Sequence, residues 1–386
     1  MSEWKKVKLK DITISITDGK HGDCKDQDGS GYYFVSCKDV YDGDIHYENA
    51  RQITKEDFED TDRRTKLAPN DILITNSGTI GRMAFVKDKI STRKTTFQKS
   101  VAIVKPDSSK VFPLYLYYLL QNIVGEFINS ANGAAQKNLL LSTMRDFDLD
   151  VLNSIPCQIR IATILSRYDS LIENCQKQIK LLEEAARRLY KEWFVELRFP
   201  GHESTKMVDG LQEGWERKKL GEVAEFKRGK TITKKDAIEG NVPVVAGGLE
   251  PAYYCDKSNT TNRVITISGS GANAGYTRLY FEKVWASDCS FADTSTTDYL
   301  HFVFCFLQEN KTVIDNMQKG AAQPHVYAKD INALVVLSPT NDILSLFEQK
   351  ASKIFDIIAS KQSQIRLLAE ARDRLLPRLM GGEMEV

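Results

Sequence analysis

The sequence predicts an α+β protein: two globular α+β heads separated by two long helices that form an antiparallel coiled coil, pseudo-two-fold through internal duplication. Three observations lead there. A stretch of some forty residues, IATILSRYDSLIENCQKQIKLLEEAARRLYKEWFVELRF, carries apolar residues at helical spacing. A second copy, SKIFDIIASKQSQIRLLAEARDRLLPRLM, follows much later. The segment before each copy shows strand-like alternation and re-uses the same landmarks.

In the first copy, read as a helix from about Cys157 to Phe199, Ile164, Tyr168, Leu171, Cys175, Ile179, Leu182, Ala186, Leu189 and Trp193 step by threes and fours. That spacing keeps one apolar stripe along one helix face, which demands a partner. Glu183 and Glu184 stand four residues ahead of Arg187 and Arg188 and support the wet face. At 1.5 Å per residue such a helix is roughly 60 Å long. A constant offset of 186 residues carries Ile179 to Ile365, Leu182 to Leu368 and Leu189 to Leu375, and seven of the eleven positions from Ile179 to Leu189 are identical in the second copy. This is a duplication. The predicted coiled-coil interface is Ile164, Tyr168, Leu171, Ile179, Leu182 and Leu189 against Ile354, Ile358, Ile365, Leu368, Leu375 and Leu379. Lys361 and Arg372 interrupt the second stripe where the first has Cys175 and Ala186, so neighbours such as Ile358 and Ala371 are expected to fill in.

The predicted order is a first head over residues 1–152, a long helix over 153–200, a linker over 201–214, a second head over 215–337 and a long helix over 338–386. In the first head GYYFVSCKDV, DILITNS, RMAFVKD and KSVAIVKP read as strands, and VFPLYLYYLLQNIVGEFIN as a helix covering the sheet. Residues 200–214 are polar and aperiodic, as a linker would be. The second head repeats the opening Trp4 and Leu9 as Trp215 and Leu220, Gly19-Lys20 as Gly229-Lys230, and GAAQ at Gly133–Gln136 as Gly320–Gln323. Two heads on antiparallel copies of one helix are expected to be held apart at a set distance, like the marks on a ruler.

Composition narrows the class. The hydrophobic fraction of 42% and charged fraction of 27% suit a globular protein, and no apolar run reaches the length of a membrane span. MSEWKKVKLK has no secretory character, and seven cysteines without a C-x-x-C pair suggest neither a disulfide framework nor a zinc knuckle. A cytoplasmic protein is expected, with no membrane partner. The net charge of +1 means that any nucleic-acid contact must gather its basic residues on one face or share the phosphates with a partner.

Motifs suggestive of catalysis fail on spacing. Gly229-Lys230-Thr231 resembles the end of a phosphate-binding loop, but Ala224 stands where that loop needs glycine. VITISGSGANAG has dinucleotide-like glycines, yet YTRLYFEKVW follows as a strand where a helix N-terminus is required. A hairpin is the better reading, as for DILITNSGTIGRMAFV. The five histidines show no ligand spacing, so no metal site is expected.

The duplicated IKLLEEAARRL and IRLLAEARDRL helices, the GAAQ entry to each, the Trp-x-x-x-x-Leu opening of each head and the KEWFVELRFPG exit from the first helix occur together in this order. On these features the whole chain resembles the specificity subunit of a type I restriction-modification enzyme. The resemblance implies two target recognition domains that read the two halves of a bipartite site in double-stranded DNA, across a spacer fixed by the helices. It implies docking of two modification subunits on the helical regions, which methylate adenine with S-adenosylmethionine. It also implies restriction subunits that use ATP and magnesium to translocate and cut. The chain itself would be non-catalytic and bind no cofactor.

Base readout needs loop side chains able to reach groove edges, with Arg or Lys to guanine and Asn or Gln to adenine as the usual pairings. In the first head the candidates are Lys20, His21, Lys38, Thr79, Arg82, Lys94, Gln98, Gln136 and Lys137. In the second they are Lys227, Arg228, Lys230, Asn273, Tyr276, Arg278, Gln323 and His325. For each, a merely solvated side chain is the competing reading, and Gln136 with Asn138 would equally serve to hold the head to its helix. Two other functions compete: a coiled-coil scaffold whose heads bind no DNA, and a self-contained enzyme using the GSGANAG loop.

Overall fold

The computed structural model describes residues 4–131, 137–208, 210–319 and 324–384. The chain divides into two compact units, Met1–Ile172 with Leu367–Val386, and Glu173–Arg366. Each unit holds one head and part of each long helix.

In the first unit a four-stranded antiparallel sheet runs in the order Thr13–Asp18, Val101–Pro106, Ile72–Thr75, Met83–Phe85. Alternation along its strands sends Ile72, Ile74 and Val104 to one face and Leu73, Ile103 and Val101 to the other. The first face packs on helix Pro113–Asn122, whose Tyr115, Leu116 and Tyr118 are buried in the same core. The second face packs toward a smaller sheet, Arg51–Gln52, Tyr33–Val35, Thr95–Phe97, whose last pair is parallel. Trp4–Lys8 pairs with Asp148–Leu152 and ties the start of the head to its end.

The second unit repeats this plan. Its sheet order is Lys227–Arg228, Cys289–Asp293, Val264–Ser268, Thr277–Tyr280. The smaller sheet is Tyr253–Cys255, Val242–Val245, Trp285–Ala286, again closed by a parallel pair. Glu216–Lys219 pairs with Val335–Ser338. The duplication therefore extends through the interiors of the heads, where sequence likeness is faint. Both glycine segments are hairpins, as expected: Ile72–Thr75 pairs with Met83–Phe85 and Val264–Ser268 with Thr277–Tyr280, all antiparallel. Strand Thr277–Tyr280 follows the GSGANAG glycines where a dinucleotide cradle needs a helix N-terminus.

Two expectations need correction. The segment read as one helix over VFPLYLYYLLQNIVGEFIN is two, Pro113–Asn122 and Val124–Asn129, broken at Ile123; the second unit breaks likewise at Asn310. The linker is partly ordered, because Met207–Val208 pairs with Leu211–Gln212 beside the short turn His202–Ser204.

The long helices are Ile155–Tyr190, continued by a π turn at Lys191–Val195, and Asn341–Met380. Trp193 and Phe194 of the π turn are buried among Tyr190, Phe302 and Phe347. In the first unit Ile161, Ala162 and Leu165 share a core with Leu379 and Met380, while Asp169 meets Arg372 at 2.6 Å. In the second, Cys175 Sγ lies 3.6 Å from Gln364 Oε1 and the Tyr190 ring 6.2 Å from that of Phe347. Numbers rise along one helix as they fall along the other, so the pair is antiparallel within each unit. Of the predicted interface, Ile358 and Leu379 are buried, and Ile164, Ile179, Leu182, Leu189, Ile354 and Leu375 pack against the cores. Tyr168, Ile365 and Leu368 are half-buried. Leu171 does not belong, being 50% exposed. It lies six residues, about 240° of helix turn, from the fully buried Leu165, which takes the core position instead.

Arg372, the interruption in the second stripe, has an answer across the pair. Asp169 accepts from its guanidinium and from the Tyr118 hydroxyl, and burial, with the carboxylate beside it, pushes that hydroxyl's pKa upward. At the duplicated positions of the second unit stand Ala186 and Phe355, both buried in an apolar core. One unit thus closes its helix pair with charge and the other with hydrocarbon. Asp169→Ala is expected to cost about 2 kcal/mol, below the 3–5 kcal/mol of a fully buried pair because water reaches about a third of each side chain. Urea denaturation checks it, and Asp169→Asn should recover part of the loss.

Polar side chains from the long helices also clamp each head. Gln158 accepts the N–H of Phe112 at 2.7 Å and donates to the Leu152 carbonyl at 2.7 Å. Glu348 accepts from the backbone N–H groups of His301 and Phe302, both at 3.2 Å, and from His301 Nδ1 at 2.6 Å. Each satisfies donors at the start of the helix that covers its sheet, where the N-cap side chain makes no capping bond.

Candidate nucleic-acid interface

The candidate site of the first unit is built on the glycine hairpin. The Thr75 N–H donates to the Arg82 carbonyl at 2.8 Å, the Thr75 hydroxyl accepts the Arg82 N–H at 2.9 Å, and Gly78 and Gly81 turn the chain at positive φ. Thr79 and Arg82 are left exposed. A Cβ on Gly78 would stand 2.9 Å from Cys37 Sγ, so the Ser36–Asp39 loop rests against the turn. Together with Gln98 these loops line a cleft of about 320 Å³ that includes Lys38, Ser77 and Gly78. Ser77 bridges to Asn138, which brings exposed Lys137 alongside. Asn138 thus ties to the hairpin. Lys20 bridges to Gln98, and Gly19 is obligatory there, since a Cβ would lie 1.9 Å from the Phe97 carbonyl oxygen. The repeated Gly-Lys pair, suggestive of a phosphate loop, is a close backbone crossing.

The second unit assembles the same frame. Ser268 and Tyr276 close the hairpin, Gly271 and Gly275 turn it, and Gly229 packs with its would-be Cβ 2.3 Å from the Ser287 carbonyl oxygen. Ser270 bridges to His325, and the Gly271 N–H donates to the Pro324 carbonyl at 3.0 Å. Lys227, Arg228, Lys230 and Tyr276 are exposed.

Several candidates are otherwise engaged. Lys20 Nζ is held by Asp57 at 3.1 Å and Asp60 at 3.5 Å, and the bond to Asp57 raises its pKa. His21 lies 3.1 Å from Asp18. Arg278 is clamped by the Leu249 carbonyl at 2.9 Å and by Glu250 at 3.3 Å, with its guanidinium 4.7 Å over the Tyr280 ring. Asn273 donates to the Gly247 carbonyl at 3.3 Å, and the His325 ring stacks against Tyr327. Lys94 sits over Tyr32 and precedes strand Thr95–Phe97, whereas Gln98 follows it, so the two lie at opposite ends of that strand. Gln136 and Gln323, with the rest of both GAAQ motifs, lie outside the described residues.

Matching backbone bonds place the two frames in register. Gln98 and Ser287 donate to Val35 and Val245, and Lys20 and Lys230 donate to Phe97 and Ala286. On that register Lys38 corresponds to Gly248, Arg82 to Tyr276, Gln98 to Ser287 and Lys99 to Asp288. Asp288, which accepts from the Ser270 hydroxyl, escaped the sequence reading, as did Lys99; only their place beside the repeated Gly-Lys crossing could have marked them. Among the described residues no group of three or more His, Cys, Asp or Glu could hold a metal, all seven cysteines are free thiols, and no helix is long and apolar enough to cross a membrane.

Twin α+β heads joined through a duplicated helix pair define a class, and comparison with known proteins identifies it. The sequence profile of the type I restriction modification DNA specificity domain matches residues 1–184 and again 212–369. The chain belongs to that family and is a type I restriction-modification specificity subunit. It is 26% identical over 415 residues to the type I restriction enzyme MjaIX specificity subunit of Methanocaldococcus jannaschii, covering 100% of this chain and 94% of that one. It is 23% identical over 409 residues to the putative MjaX specificity subunit of the same organism, with the same coverage. The crystal structure of the S subunit from M. genitalium superposes with a TM-score of 0.57 at 17% identity, over 98% of this chain and 96% of that one, a likeness of fold.

Proposed function

We propose that each head reads one half of a bipartite site in double-stranded DNA, that the long helices set the spacer, and that two modification subunits dock on the helical regions. The observation that carries this reading is the pair of hairpin frames with matching backbone bonds and different side chains, with Lys38, Arg82, Gln98 and Lys99 on one and Gly248, Tyr276, Ser287 and Asp288 on the other. Equal scaffolds with unequal tips suit two readers of unequal sequences. The chain is a targeting subunit without chemistry of its own, acting in the cytoplasm. S-adenosylmethionine belongs to the modification subunits, and ATP with magnesium to the restriction subunits. With a net charge of +1, the chain shares phosphate neutralisation with those partners.

The test is to co-produce the chain with the modification subunit of its system and map methylated adenines across host DNA. A split motif with a fixed gap is expected; a stable complex that methylates nothing would overturn the reading and favour a scaffold. Arg82→Ala should relax or weaken one half-site only, by about 1–3 kcal/mol for a lost base contact. An insertion between the first long helix and the second head should alter the gap and leave the bases unchanged.

A further inference from the structure

The strip of chain that leaves the Gly-Lys crossing for the central strand differs between the heads in length and in sign of charge. The first head has Gln98, Lys99 and Ser100 there, and the second only Ser287 and Asp288. Lys99 is exposed, as are Lys38 and Arg82, and no described carboxylate pairs with any of the three. Where the first head offers an amine, the second offers a carboxylate.

That carboxylate is oriented. The Ser270 hydroxyl donates to Asp288 Oδ2, and Ser270 is itself tied to His325 by a backbone bridge. The Asp288 carbonyl accepts the Gly269 N–H at 3.1 Å. A β carbon on Gly269 would stand 3.3 Å from Oδ1, so this glycine, which has no positive φ, keeps the approach to the carboxylate clear. Among the described residues no group donates to Oδ1 and no cation pairs with the side chain. Yet Lys227 and Arg228 are exposed on the strand paired with Phe291 and Ser290, and Lys230 is exposed at the crossing.

A carboxylate on a face that meets DNA is repelled by the phosphates and gains only if the DNA supplies a donor, because it can accept and not donate. Base edges carry three amino groups: cytosine N4 and adenine N6 in the major groove, and guanine N2 in the minor. Adenine N6 lies beside the N7 acceptor, whose lone pair opposes a carboxylate. Guanine N2 lies in the narrow groove, where the phosphates of both strands crowd an anion. Cytosine N4 has no acceptor beside it on its own base. We infer that Asp288 is a specificity-determining residue that accepts from N4 of a cytosine in the half-site of the second head, an assignment that rests on the function proposed above.

The experiment begins with the full chain co-produced with the modification subunit, methylated adenines being mapped for wild type, Asp288→Ala and Asp288→Asn. One G·C position should relax in Asp288→Ala and shift towards A·T in Asp288→Asn, whose amide suits adenine. That position should fall in the half-site that Arg82→Ala leaves intact. Wild-type complex is then offered duplexes altered at the same base pair. N4-methylcytosine should weaken binding about tenfold or more, whereas 7-deazaguanine should leave it unchanged, and the Asp288→Ala complex should not distinguish N4-methylcytosine from cytosine. Tolerance of N4-methylcytosine by wild type at every G·C pair of that half-site would overturn the contact without relying on the folding of any variant. A half-site lacking a G·C pair would do the same. Weakening by inosine in place of guanine, without weakening by N4-methylcytosine, would overturn the assignment in favour of the minor groove. A split motif unchanged by both substitutions, or degraded in both halves alike, would overturn the role of Asp288 and leave the proposed function standing. A stable wild-type complex that methylates nothing would overturn both.

Discussion

Gly19→Ala is expected to unseat the first hairpin frame and abolish recognition through the first head. The added methyl carbon would stand 1.9 Å from the Phe97 carbonyl oxygen and 2.6 Å from that of Gln98. Neither is the end of a flexible side chain; both are backbone of the segment that carries Gln98 and Lys99 to the tip. The crossing must open, at a cost of about 3 kcal/mol, the upper end of the range for overpacking. For a unit of this size that corresponds to roughly 6–12 °C in melting temperature. Gly229→Ala should do the same to the second head, where the distances are 2.3 Å to Ser287 and 2.6 Å to Ala286. Hydrogen exchange on each variant is the decisive measurement. Protection should fall around residues 95–101 in one and 285–291 in the other, and a variant that loses no protection would refute the crossing.

The second large effect is expected from Glu348→Ala. This carboxylate satisfies two backbone donors at the start of helix Leu300–Glu309 and the ring of His301, itself 3% exposed. Removing it leaves three buried donors without an acceptor, and a loss of about 3–4 kcal/mol is expected. Glu348→Gln keeps an acceptor oxygen and should cost about 1 kcal/mol. Three of the four tryptophans, Trp193, Trp215 and Trp285, belong to the second unit, so fluorescence during urea denaturation reports mainly on the unit in which the change is made. Equal stabilities for the two variants would show that the carboxylate is not the cap described.

What the sequence revealed and what it hid divide along a physical line. Repetition and periodicity are local, so the long helices, the offset of 186 residues and both glycine hairpins were legible. The position of Leu171 was misread because stepping by threes and fours tolerates a drift of one residue over a few turns. A stripe begun at Ile164 runs on through Leu171, whereas one begun at Leu165 passes it by, and only the partner helix decides between them. The candidate interface was half legible. Arg82, Lys38, Gln98 and Lys137 do gather beside the first hairpin, but Lys20 and Arg278 are held by Asp57 and Glu250, acids 37 and 28 residues away in the chain. Nothing in the spacing of a sequence announces such pairings. The clamps made by Gln158 and Glu348 were hidden for the same reason, as isolated polar residues on helices that carry many.

The ion pair between Asp169 and Arg372 gives the duplication a direction. A gene rearrangement that joined two first halves would set Asp169 opposite a second Ala186 in the place of Arg372, a carboxylate facing a methyl group. One that joined two second halves would set Arg372 opposite a second Phe355 in the place of Asp169. The duplicated halves are thus no longer interchangeable at this contact, because each supplies one charge of a pair that two copies of the same half would leave unmatched.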